Sequence, residues 1–230
     1  PPHLEVKAGG KAQTIASLKE TTTPLRIAIL DADQGTGAYQ AGIGRFMQTL
    51  IGRAEFSLTS VIIQPDKVTE YSPDGRVLSE GLSRLGQRGR QIGAQLLEAT
   101  NEAAGTVNAE GKRPVILVTR LGGEGTTNLQ SKDVMERLRK SRAILYVVSS
   151  AGAEGRASLS NYSETSPVQQ QQALRESESS EAWQQLSLVL GDGSNETGGR
   201  HDIVVATTLT QAVQKIANEL RHQYEVTYEG

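Results

Sequence analysis

Leu25-Arg26-Ile27-Ala28-Ile29-Leu30-Asp31-Ala32-Asp33-Gln34-Gly35-Thr36-Gly37 is the stretch whose reading decides the fold. Its first six residues are a nearly continuous apolar run, the mark of a parallel strand buried on both faces. Two acids and a glycine loop follow. From Tyr39 to Ile51 the apolar residues Ile43, Phe46, Met47, Leu50 and Ile51 recur at helical spacing. Strand, glycine loop, helix is the opening unit of an α/β domain.

The unit repeats downstream. Strands are expected at Phe56 to Ile63, Val68 to Tyr71, Val115 to Thr119, Ala143 to Ser149 and Asp202 to Ala206. Helices are expected at Gly89 to Ala104, Lys132 to Arg142, Glu181 to Leu190 and Leu209 to Arg221. Gly191-Asp192-Gly193 reads as a turn, and Tyr224 to Tyr228 as a last strand that closes the sheet. Upstream, Leu4 to Val6 and Gln13 to Ser17 read as a short hairpin joined through Gly9-Gly10, with a threonine linker ending at Pro24. The expected fold is therefore α/β and doubly wound, a mostly parallel central sheet with helices on both faces, preceded by a short β-hairpin. Residues 1–23 form the hairpin and linker and 24–230 the domain. Residues 151–180, rich in Ser, Glu and Gln, bury too little apolar surface to offset their ordering entropy and are expected to be a flexible insertion.

A chain of 230 residues is enough for one such domain. The 24 basic and 26 acidic side chains leave a net charge of -2, which provides no basic field for nucleic acid or an anionic membrane. The longest apolar runs fall far short of the roughly 18 to 20 residues that cross a bilayer, so no membrane insertion is expected. There is no cysteine, which removes disulfides, thiolate zinc sites and thiol nucleophiles. The opening Pro1-Pro2-His3 has neither an initiator methionine nor a basic and apolar leader and reads as the start of a trimmed chain, so the absence of a signal here says nothing about targeting.

In a parallel sheet ligands gather outside the carboxyl ends of the strands, and the loop after Leu30 is the richest there. Three readings compete for it. Glycine amides at a helix N-terminus favour phosphate, yet Gly35, Gly37 and Gly42 miss the dinucleotide spacing and Asp31 and Asp33 would repel an anion. Asp-x-Asp at a strand end can supply oxygens to Mg²⁺ or Ca²⁺, given further oxygen ligands. The acids can also cap the following helix and pair with arginines.

The order of elements resembles the von Willebrand factor A family, in particular its bacterial, acidobacterial-type members, over nearly the whole chain. The most specific stretch is Thr197-Gly198-Gly199-Arg200 followed by Ile216 to Tyr228, which is similar to the family's Thr-Gly-Gly, closing helix and Gln-Tyr strand. The resemblance implies a protein-binding adhesion or scaffold module in a secreted or cell-envelope setting. The family's metal-ion-dependent adhesion site uses Asp-x-Ser-x-Ser, a threonine before the second large helix and an aspartate after the fourth strand. Position by position these fall on Asp31, Asp33, Gly35, Arg90 and Arg120, so that one of five ligands survives. Guanidinium has no lone pair to offer a cation. The resemblance therefore implies a degenerate site, made of Asp31, Asp33, Gly35, Thr36, Arg90 and Arg120, with no metal or other cofactor, in which the arginines neutralise the acids from within.

His3, His201 and His222 are scattered, no serine sits in a nucleophile elbow, and Trp183 shares an apolar helical stripe with Leu186, Val189 and Leu190 that marks core. With no catalytic constellation, the expected function is non-catalytic protein binding. The alternatives are a nucleotide- or anion-binding enzyme or sensor at the glycine loop, and a module that keeps a divalent cation at Asp31 and Asp33.

Overall fold

The computed structural model describes residues 5–8, 10–33, 36–85, 94–121, 127–150 and 181–228. The proposed insertion at 151–180, Gly35 and Arg90 lie outside them. Six strands form the central sheet: β4 (Leu25–Ala32), β5 (Ala54–Val61), β6 (Pro65–Ser72), β7 (Arg113–Arg120), β8 (Ile144–Ser150) and β9 (Arg200–Val204). Their spatial order is β6-β5-β4-β7-β8-β9, parallel throughout except for the antiparallel edge strand β6.

Alternation along each strand sorts the core into two halves. Leu25, Ile27, Ile29, Val115, Leu117, Tyr146 and Val148 face α1 (Gln40–Leu50), α2 (Gly75–Leu85) and a C-terminal helix, Leu209–Arg221. Ala28, Leu30, Ile116, Val118, Leu145 and Val147 face α3 (Leu96–Thr106), α4 (Ser131–Ser141) and a helix at 181–196, here α5. The C-terminal helix is then α6. Both faces of the sheet are covered, as the apolar runs required.

Several elements differ from expectation, β5, β6 and β9 among them by two or three residues at an end. The helix expected from Gly89 starts at Leu96, with Gln95 as N-cap. Helix α2 was not anticipated: the Asp74 carboxylate accepts the Arg76 N–H at 2.8 Å and so starts a helix that buries Leu78 and Leu85. The expected turn at Gly191 to Gly193 is instead part of a π-helical stretch, Leu188–Gly193. A Cβ at Gly193 would lie 2.8 Å from Met135 Sδ, so this glycine serves close helix packing and not a chain break. In the Thr-Gly-Gly stretch, Thr197 Oγ1 accepts the Leu145 N–H at 3.0 Å, and a Cβ at Gly199 would come within 2.0 Å of the Leu145 carbonyl oxygen.

The last correction is topological. The hairpin is tighter than expected, β1 (Val6–Ala8) against β2 (Lys11–Gln13), and Ser17 belongs to a separate strand, β3 (Ile15–Glu20). The last strand, β10 (Tyr224–Tyr228), does not close the central sheet but pairs antiparallel with β3. Its alternating apolar and polar residues explain why, since a strand in the body of a parallel sheet needs apolar residues on both faces.

Candidate functional site

Strand β4 delivers Asp31 to the carboxyl end of the sheet, in register with Ser60 on β5 and Thr119 on β7. The Thr119 hydroxyl donates to Asp31 Oδ1 at 2.7 Å. Asp31 and Asp33 are only 5% and 3% exposed. Burial, then the nearby charge of Asp33, pushes the Asp31 carboxyl up to about 8, while the Thr119 hydrogen bond pulls the other way. Burial and the Asp33 charge both favour the protonated form of this carboxyl.

Tyr39, just ahead of α1 and fully buried, places its hydroxyl 2.8 Å from the Arg120 carbonyl and 3.1 Å from that of Val148. It thereby ties α1 to the carboxyl ends of β7 and β8. Burial first, then the Asp31 charge, raises its pKa further above the ordinary phenol value. The capping reading of the acids is not what the structure has: α1 has Tyr39 as N-cap, no side-chain cap bond and no acid in its first turn. Thr36 is exposed and accepts the Ala38 N–H at 3.3 Å, shaping the turn with Gly37 at φ +72°.

Arg120 follows Thr119 and pairs with Ala32, so its side chain leaves β7 on the sheet face opposite that of Asp31. There its guanidinium carbon lies 4.6 Å from the centroid of the Trp183 ring, with the residue 4% exposed. Trp183 packs against the core as its helical stripe implied, and it also seats this arginine. Beside Arg120 on the next strand, Ser149 Oγ is 2.8 Å from His201 Nε2, a pair that nothing in the linear sequence joins. Glu98, in the first turn of α3, was not singled out either. Its Oε1 accepts the Thr127 hydroxyl at 2.8 Å and the Asn128 N–H at 2.9 Å, fixing the approach to α4.

The residues directly ahead of α3 are Ala94 and Gln95, whose N–H donates to the Ile63 carbonyl at 2.7 Å. Asp31, Asp33 and Thr119 are thus brought together on one side, and Arg120, Trp183, Ser149 and His201 on the other. Among the described residues no three His, Cys, Asp or Glu side chains converge as metal ligands. Among the described residues Thr36, Ile63, Asn128, Ile203 and Val205 are exposed at this end, as is the charged Asp66 opposite Ser60.

No family model matches the sequence, and no curated protein matches it significantly. Solved structures do resemble its fold. The pilus adhesin SpaC of Lactobacillus rhamnosus GG aligns with a TM-score of 0.59 at 9% identity, over 88% of this chain and 31% of that one. A von Willebrand factor type A protein of Catenulispora acidiphila aligns at 0.57 and 11% identity, over 95% of this chain and 52% of that one. The vWF domain of the type V pili tip protein Mfa5 of Porphyromonas gingivalis aligns at 0.57 and 10% identity, over 90% and 99%. The chain thus spans about a third of SpaC and half of the Catenulispora protein, but nearly all of the Mfa5 domain.

Proposed function

We propose that this chain, whose fold is that of a von Willebrand A domain, is a non-catalytic adhesion or interaction module that engages a protein partner through the carboxyl end of its sheet without a family-type metal ion. The adhesion reading is supported by the similar folds of a pilus adhesin and a pili tip protein, and with them goes a secreted or envelope location. No helix among the described residues is long and apolar enough to cross a membrane. The exposed apolar side chains Ile63, Ile203 and Val205 at this end suit a protein surface.

The metal-free reading is carried by one observation. Where the family has an acidic ligand after the strand, this chain has Arg120, buried and stacked on Trp183. A hard cation takes six or more oxygens, and beside the two carboxylates the Thr119 hydroxyl already donates to Asp31. Retention of a divalent cation at Asp31 and Asp33 has one observation in its favour. Their repulsion, with burial, lifts Asp31, and an added cation would relieve it.

Thermal unfolding with Mg²⁺, Mn²⁺ and Ca²⁺ separates the two. The wild-type chain is expected to melt at the same temperature with and without millimolar cation. Saturable stabilisation, reaching about 2.7 kcal/mol at a hundred times Kd, would overturn the metal-free reading.

A further inference from the structure

The strand pair β3–β10 stands apart from the central sheet, and among the described residues neither of its outer edges pairs with another strand. Tyr224 lies opposite Glu20, Val226 opposite Leu18 and Tyr228 opposite Ile15, while Glu225 opposes Lys19 and Thr227 opposes Ser17. Directly opposed residues share a face, so one face is Ile15, Leu18, Tyr224, Val226 and Tyr228 with Glu20 at its end. The other face is polar. Leu18, Tyr224 and Tyr228 are 40%, 56% and 45% exposed. The base of the ribbon is firmly held: the Thr21 N–H donates to the Gln223 carbonyl at 3.0 Å, Arg113 Nε to the Thr23 carbonyl at 3.1 Å and an Arg53 guanidinium nitrogen to the Arg221 carbonyl at 3.2 Å. Beyond that base it is two strands with an uncovered apolar face. Such a ribbon is marginal in water, and three or more strands are needed for independent stability.

Its two edges are not equivalent. The register passes from Thr227–Ser17 to Tyr228–Ile15, leaving Ala16 as the extra residue of a bulge in β3. A bulge spoils an edge for further pairing. Strand β10 has no extra residue, and its sequence Tyr224-Glu225-Val226-Thr227-Tyr228 reads alike in both directions: aromatic, polar, valine, polar, aromatic. We infer that β10 pairs with β10 of a second copy of this chain, antiparallel about a two-fold axis at Val226. A two-fold interface must be self-complementary, and this near-palindrome is. Tyr224 meets Tyr228 of the second copy, Glu225 meets Thr227 and Val226 meets itself. No like charges are opposed. Each tyrosine gains an aromatic cross-strand neighbour, and the product is a four-stranded antiparallel sheet, β3-β10-β10-β3, with one continuous apolar face. The ribbon leaves from the amino end of β4, the far end from Asp31, so the dimer leaves the carboxyl end of both copies clear and does not depend on what binds there.

Sedimentation velocity of the whole chain at rising concentration tests this. An edge-to-edge contact is small, so association is expected at a Kd between about 10 μM and 1 mM. Val226→Lys and Val226→Glu each place two like charges on the axis and are expected to abolish it, whereas an equimolar mixture of the two restores it. A second measurement survives a loss of ribbon stability in those variants. The chain has no cysteine, so Val226→Cys under mild oxidation should cross-link to itself, and Thr227→Cys, which faces Glu225 instead, should do so at least about tenfold more slowly. A wild-type chain that stays monomeric to about 1 mM, a mixture of folded charge variants that does not associate, or equal cross-linking at Val226 and Thr227 would each overturn the inference.

Discussion

Replacing Asp31 by asparagine should remove a large pH dependence from the stability of this chain. In the folded protein its carboxyl is pushed up to about 8 from an ordinary 3.8, by burial first and the charge of Asp33 second. Between those values the native state holds a proton that the unfolded chain has released. Stability changes with pH as the protons bound by the unfolded state less those bound by the native state, here minus one. It therefore falls as pH rises, by up to about 1.4 kcal/mol per pH unit. The contribution is fully present below the unfolded pKa and is lost as pH climbs through the folded one. From about pH 5 to about pH 7 the loss from this group is about 2.7 kcal/mol. Asp31→Asn keeps the shape, can still accept the Thr119 hydroxyl and has no proton to lose. Urea unfolding of both proteins at about pH 5, 6 and 7 in chelator gives two stability curves, and their difference cancels the titrating groups that do not interact with Asp31. That difference should swing toward the variant by about 2 to 3 kcal/mol across the range. Parallel curves would mean that the native state, like the unfolded chain, holds this carboxylate ionised across the range, and would refute a protonated Asp31.

Tyr39→Phe removes the hydroxyl shared by the Arg120 and Val148 carbonyls and should cost about 1 to 3 kcal/mol, with faster amide exchange at the ends of β7 and β8 and little change in α4. Unchanged exchange there would show that the hydroxyl is not what holds α1 to those strands. Gly199→Ala puts a methyl group 2.0 Å from the Leu145 carbonyl oxygen and should cost about 3 kcal/mol or more in a thermal melt, since backbone must move to admit it. A loss below about 1 kcal/mol would mean that β8 and β9 separate there more easily than their pairing implies.

Much of the fold is legible along the chain because its signals are local. Leu25 to Leu30 is apolar at consecutive positions, and only a strand covered on both faces uses such a run. Helix α6 spans Leu209–Arg221 as expected, because Leu209, Val213, Ile216 and Leu220 mark one helical face. Helix α2 was legible in principle, from Asp74 as a cap and Leu78, Leu82 and Leu85 behind it, but Asp-Gly also signals a turn.

The sequence by itself determined the alternation of strands and helices, the two-faced core and the acids at the end of the first central strand, since each depends on neighbours a few residues apart. Tertiary structure alone decided what those residues meet. Asp31 and Thr119 are 88 positions apart, and only the register of β4 against β7 sets them in hydrogen-bond contact and sends Arg120, one residue on, to the opposite face and Trp183. The same holds for β10, whose alternation shows one apolar face but not that its partner is β3, some 200 residues earlier. Pairing between distant strands depends on how the whole chain closes, and a one-residue slip in register reverses every side chain, so periodicity within a strand cannot select it.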